Sequence, residues 1–203
     1  MARTRDEAAQ QRILRAAREL VCDLGPRAVS IDAIADAAGV GKQTIYRWWP
    51  SRSAVVMDAL IEMTDPEPAD PPDSVRERIR LQMRRVARMF ASRQGRLIRE
   101  VVADAQGDPD LAEDFRRRFL AHRRARGAAT IARGISTGEL RPDLDIEDAL
   151  DVLYGPLWFR LLVGHRPTGP AAVDRLLDLV WPGLVGPREG GRAPVQARAV
   201  GPR

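Results

Sequence analysis

Apolar residues recur along this chain at steps of three and four, and no run alternates polar and apolar for long. Ile13, Leu14, Ala17, Leu20, Val21 and Leu24 form the first stripe. Gly25-Pro26 closes it, because glycine accepts the left-handed cap and proline cannot continue a helix. Ser30 stands where the N-cap of a short helix, "IDAIADAA", belongs, and Asp32 in its first turn faces the positive end of the helix dipole. "AGVG" interrupts this helix at Gly39. "KQTIYRWW" makes the next one, Pro50 stops it, and Ser51 caps "RSAVVMDALIEMT". Helical patterns then run over 74–93, 96–106, 109–133, 146–164 and 170–181, broken most clearly at "GDPD" and "STGELRPDLD". No Asn-Gly or Asp-Gly dipeptide joins β-rich segments, so the predicted fold class is all-α.

The 203 residues suffice for one large domain or two small ones. The acidic, proline-rich run "DPEPADPPD", residues 65–73, is the best boundary. It divides a domain of residues 1–64 from a helical domain of 65–185, and the Gly/Pro/Arg-rich stretch 186–203 reads as a disordered basic tail. Net charge is +5 and the pI about 10.4, which favours acidic partners. The tail accounts for most of it: four arginines against Glu189 give +3, so only +2 belongs to the rest of the chain. Affinity for nucleic acid must therefore be argued from local patterning. The single cysteine, Cys22, excludes an internal disulfide and a thiol zinc site, and is expected to pack as a small hydrophobe. "MARTRDEAAQQR" has no apolar segment of a secretory signal, and "VLYGPLWFRLLVG" is too short to span a bilayer and contains Arg160. A cytoplasmic protein without a membrane partner is expected.

Two short helices joined by a glycine-containing turn make a helix-turn-helix. In "AAGVG", Gly39 supplies the positive φ of a sharp corner, Ala35 and Ala38 permit close crossing, and Ile34, Val40 and Ile45 fill the small core. On the second helix Ile45, Trp48 and Trp49 share one greasy face. Gln43, Tyr46 and Arg47 share the other, with Thr44 beside them. Base edges demand directional donors and acceptors, and phosphates demand cations and hydroxyls, so this polar face suits the major groove of double-stranded DNA. Gln43, near the helix start, can pair with adenine N6 and N7, worth roughly 1–3 kcal/mol of discrimination. Lys42 is the one lysine in the chain; at a helix N-terminus it gains nothing from the dipole, so its partner lies outside the helix, and phosphate fits.

Residues 11–60 resemble the N-terminal domain of the TetR family of transcriptional regulators, the matching run being "ILRAARELVCDLGPRAVSIDAIADAAGVGKQTIYRWWPSRSAVVMDAL", residues 13–60. The resemblance implies that Lys42, Thr44, Tyr46 and Trp48 contact DNA backbone or thymine methyls, that Arg52 contacts phosphate, and that Ser30 presents a helix N-terminus to phosphate. It also implies a homodimer that represses from a palindromic operator and is released by a small-molecule effector. Two positions depart from the family pattern: Gly41 stands where a serine cap is usual, and Gln43 where glycine is common.

Half-sites of such a dimer lie about 34 Å apart, so something must hold two copies at fixed spacing. The helices of about 146–164 and 170–181 are predicted to do so as a four-helix interface. "IEDALDVLYGPLWFRLLVG" is apolar around most of its circumference, and Val173, Leu176, Leu177, Val180 and Trp181 stripe its neighbour. Gly155-Pro156 is expected to kink the first of them. Met83, Met89, Phe90, Phe115, Phe119, Trp158 and Phe159 are candidate lining for an apolar effector cavity, and the effector is expected to be apolar or amphipathic. His122 and His165 stand apart and promise no metal site. No phosphate-binding glycine loop or coenzyme signature appears, so neither a cofactor nor an enzyme is expected. The alternatives are an architectural DNA binder without ligand control and a helical hydrolase using Ser136 of "GISTG", residues 134–138.

Overall fold

The structure, a computed structural model, describes residues 2–63 and 72–186, with side chains from Glu7 onward. The predicted connector falls mostly outside these residues, and so does the predicted tail after Gly186. The described residues are all-α, without a strand. The first unit comprises α1 (Ala2–Leu24), α2 (Ile31–Ala38), α3 (Lys42–Trp48) and α4 (Arg52–Glu62). The second comprises α5 (Val75–Ala91), α6 (Arg93–Ala105), α7 (Pro109–Asp114), a π-helical turn (Phe115–Leu120), α8 (Ala121–Ser136), α9 (Ile146–Val163) and α10 (Pro170–Val185).

In the first unit α2 and α4 both pack on α1, and α3 closes over α1 and α2. The core there is Ile13, Ala17 and Val21 of α1, Ile34 of α2, Ile45 of α3, and Val55, Met57 and Leu60 of α4. α4 then seats the unit on the second one through α7 and the π-helical turn. The buried residues of both units form one continuous cluster.

Several boundaries differ from the sequence pattern. The helix predicted over 109–133 is not uniform: the π-helical turn interrupts it, and α8 continues to Ser136. A π turn resets the face a helix presents. Here it lets Phe119 enter the core while Arg118 reaches carboxylates on α4 and α7. "GISTG" is therefore not a loop preceded by a strand. Gly134 is buried within α8, Ser136 ends that helix, and its hydroxyl donates to the Arg133 carbonyl at 2.8 Å. A nucleophile elbow needs a strand before its serine, and this site has a helix. The helix predicted from 96 begins at Arg93, because Ser92 accepts from the Gln94 amide at 3.2 Å. α10 passes through Pro182 to Val185, where the Arg141 amide donates to the Leu184 carbonyl at 3.0 Å. Within α9, Pro156 removes the amide that the Val152 carbonyl would accept in an uninterrupted helix.

The apolar stripe predicted for dimer contact faces inward instead. Val173 and Leu177 are fully buried in the chain's own core, and Leu176, Val180 and Trp181 pack against it. α10 lies on α5, where Arg84 chelates Asp174 at 2.7 and 2.8 Å and the Arg76 guanidinium lies 5.3 Å from the Trp181 ring. The large apolar side chains left exposed on α9 and α10 are Val152, Phe159, Leu162, Val163 and Leu179.

Candidate nucleic-acid interface

The α2–turn–α3 segment is assembled by local rules. Ser30 is extended, with φ −110° and ψ 160°, and its hydroxyl accepts from the Ala33 amide at 3.1 Å, so an exposed hydroxyl sits at the start of α2. Gly39 ends α2 at φ 63°, a left-handed conformation that side chains rarely adopt. The amide after it, that of Val40, donates to the Ala35 carbonyl at 3.0 Å and reverses the chain into α3. Gly41 occupies the N-cap of α3 without a side-chain cap. The α3 N-terminus consequently presents backbone and no hydroxyl.

Ile45 and Trp49 are the inward side chains of the α3 segment, at 0% and 1% exposure. Trp48 is not inward, contrary to its place on the predicted greasy face; it stands out beside Tyr46, at 36% against 48% exposure. The reason is a partner beyond the helix. Trp49 leaves helical geometry at φ −128°, and its indole Nε1 donates to Asp58 Oδ2 on α4 at 2.8 Å. One indole fills that slot and the adjacent one is left outside. Gln43 and Arg47 are exposed and Thr44 is half-buried. Ser30, Lys42, Gln43, Tyr46, Arg47 and Trp48 thus share the outer surface of the first unit.

Two predicted contacts carry internal bonds. Lys42 pairs with Asp32 of α2, whose hydrogen bond and charge hold the ammonium above the usual lysine range. The partner outside the helix is therefore an acid within the chain. Both side chains are solvent-exposed, so the pair is weak and a phosphate competes for the same cation. Arg52 is half-buried, and its Nη1 donates to the carbonyls of Pro26 at 2.8 Å and Val29 at 3.3 Å, fastening α4 to the turn between α1 and α2.

A polar seam that the sequence pattern did not reveal joins this surface to the second unit. Asp114 is buried and accepts from Ser53 at 2.5 Å and Ser51 at 3.0 Å. Arg118 lies 3.4 Å from Asp114 and 3.3 Å from Asp58. Asp58 also accepts the Trp49 indole. The one legible signal was an acid, Asp58, inside the otherwise apolar run "AVVMDALI".

Above the seam lies a cavity of about 740 Å³, lined by α5, α8, α9, the end of α4 and the start of α6. That volume is in the range of small-molecule sites. Met89, Phe90 and Trp158 line it as predicted. Met83 and Phe119 are instead fully buried core. Phe115 stacks on Phe119 at 5.1 Å and meets Trp158 edge-on at 6.0 Å, outside the lining. Phe159 points outward at 58% exposure, with His165 against its ring at 4.8 Å. The lining that the pattern missed is cationic: Arg85, Arg88, Arg123, Arg124 and Arg126, with His122. In an arginine-rich chain such residues read as a solvated helix face. No group of His, Cys, Asp or Glu among the described residues is arranged to hold a metal.

Residues 13–59 match the family described as bacterial regulatory proteins, tetR family, and residues 70–180 match that described as Tetracyclin repressor-like, C-terminal domain. Together they take in the helix-turn-helix and the cavity-bearing bundle. The chain belongs to the TetR family of transcriptional regulators. The HTH-type transcriptional regulator YdeS of Bacillus subtilis (strain 168) is 41% identical over 183 residues, covering 90% of this chain and 92% of its own. The HTH-type transcriptional regulator Rv1556 of Mycobacterium tuberculosis (strain ATCC 25618 / H37Rv) is 28% identical over 160 residues, 77% of this chain and 78% of its own. Among solved structures, the TetR family transcription regulator SCO0332 shares 30% identity and a TM-score of 0.72, over 87% of this chain and 98% of that one. The family match over residues 13–59 takes in α2, the glycine turn and α3. Among the described residues of this TetR-family chain, no helix is long and apolar enough to cross a membrane.

Replacing Trp49 by Phe removes the indole donor to Asp58 and part of a fully buried ring. We expect a loss of at least about 1.5–3 kcal/mol in urea unfolding, the usual worth of a hydrogen bond to a charged group, with the cavity left by the smaller ring adding to it. An unchanged midpoint contradicts the role given to this bond.

Proposed function

We propose that this TetR-family regulator is a homodimeric repressor that grips a palindromic operator with α3 and releases it when a small molecule fills the cavity. The observation that carries the reading is the division of α3. Ile45 and Trp49 lock it to the core, and Gln43, Tyr46, Arg47 and Trp48 form an exposed row with Lys42 at its N-terminal end. Gln43 reads a base pair, Tyr46 and Trp48 contact backbone or thymine methyls with Thr44, and Lys42 exchanges Asp32 for phosphate. Ser30 offers its hydroxyl and the α2 N-terminus to phosphate. Arg52 reaches phosphate only with donors beyond those given to Pro26 and Val29. Residues 1–64 form the DNA-reading domain and 65–185 the effector and dimer domain. A DNA partner places the protein in the cytoplasm.

Dimerisation is supported by the exposed apolar residues Val152, Phe159, Leu162, Val163 and Leu179, which all lie on α9 and α10. Pairing these helices with their copies removes that surface from water and sets the spacing of the two α3 helices. Ligand control is supported by the π-helical turn: Leu120 lines the cavity, and Arg118 in the same turn holds α4. A ligand moves such a balance only by preferring one shape to the other.

Duplexes selected from a random library are expected to contain an inverted repeat. Tyr46→Ala should bind the selected duplex at least about tenfold more weakly with unchanged circular dichroism, a loss of about 1.4 kcal/mol. Equal binding by this variant removes α3 from the interface. In light scattering the protein should run as a dimer, and Phe159→Glu combined with Leu179→Glu as a folded monomer that no longer grips both half-sites. A wild-type monomer at micromolar concentration contradicts the dimer.

A further inference from the structure

The cavity has a charge that its aromatic lining does not account for. Of its ionisable lining residues five are arginines, and the carboxylate among them is Asp151. That carboxylate is already engaged: Arg124 Nη1 bonds it at 2.6 Å and pairs with Glu147 as well. Arg88 and Arg123 form no ion pair within the described residues. Arg123 is the instructive one. It is half-buried, its guanidinium carbon lies 3.6 Å from the centre of the Phe119 ring, and its Nη1 donates to the Phe119 carbonyl at 2.9 Å. Its remaining donors find no acceptor in the described chain. Burial, and then the charge of Arg126, push Arg123 down to about 10. A half-buried cation with donors to spare and a second cation nearby gains from an anion beside it. The apolar side is equally defined: Phe90 meets Trp158 edge-on at 4.7 Å, and Met89 lines the same space.

We propose that the cavity takes an organic anion with an apolar body, its anionic head on the free donors of Arg123 and its hydrocarbon part against Met89, Phe90 and Trp158. The guanidinium fork matches a carboxylate and a phosphate monoester alike, and the head is defined by that shared chemistry. This rests on the reading of the cavity as the effector site and narrows the effector from apolar or amphipathic to amphipathic and negatively charged.

The test uses the full chain and four probes with one tail: dodecanoate, dodecyl phosphate, dodecanol and dodecylamine, each below its micellar concentration. Binding is followed by calorimetry and by tryptophan fluorescence, to which Trp158 reports from the lining. At least one anion should bind about tenfold or more tightly than the alcohol, with the amine weakest, as charge-assisted hydrogen bonds require. Which anion wins tells a carboxylate effector from a phosphate one. Arg123→Met should lower anion affinity to that of the alcohol and leave the alcohol unchanged. Arg123→Lys, which keeps the charge and loses the fork, should fall between and serves if the methionine variant does not fold. Dodecanol binding as tightly as both anions, neither anion binding at millimolar concentration, or anions bound undiminished by both Arg123 variants overturns the proposal. Operator affinity measured in the same samples separates the two readings. An anion held by Arg123 that leaves DNA binding untouched upholds the site and removes ligand control. Operator binding with no anion held at Arg123 overturns the site and leaves the regulator.

Discussion

A buried carboxylate, Asp114, is the constraint on which the arrangement of this protein depends. With 8% of its surface exposed, it cannot rely on water. The chain surrounds it with the hydroxyls of Ser51 and Ser53 and the guanidinium of Arg118. Each of these partners belongs to something else as well. Ser51 caps α4, accepting from the Ala54 amide at 3.0 Å, and Arg118 reaches Asp58, which holds the indole at the end of α3. Removing one of its partners leaves buried Asp114 with fewer bonds than its charge requires, which is why a half-satisfied network costs more than an apolar one. α3, α4 and the π-helical turn are thereby held as one body.

That body ends at the cavity wall. Leu120, two residues beyond Arg118, lines the cavity, and Arg123 follows one turn later with its guanidinium against Phe119. On the proposed function, a ligand acts at one end of this turn and an operator, through α3 and Asp58, at the other. The magnitudes are compatible. Shifting a two-state balance from 1:99 to 99:1 takes about 5.5 kcal/mol, and hydrogen bonds to charged groups are worth about 1.5–3 kcal/mol each. Rearranging two or three links of the seam is of the right size.

Much of this was legible in the chain, and the limit of legibility was physical. Ser30, Gly39 and Ser51 announced their caps because a cap depends on three or four neighbouring residues. Which of two adjacent tryptophans turns inward was not legible. A seven-residue helix places both near the same face, and Asp58, nine positions on from Trp49, decides. The partner of Lys42 lies ten positions back, on another helix. The stripe on α10 announced that something covers it, but a periodic pattern does not say whether the cover is α5 or a second copy. For the cavity, large apolar residues pointed mostly to core. The polar lining came mostly from arginines whose place at the cavity follows from helix packing alone.

The central claim is that the Asp114 seam, over and above the apolar contacts around it, holds α3 and α4 to the second unit. Hydrogen exchange by mass spectrometry on wild type and Asp114→Ala tests it most directly. The account predicts faster exchange across residues 42–62, with α9 and α10 protected as before. Unaltered exchange in 42–62 would show that apolar packing suffices and would contradict the claim.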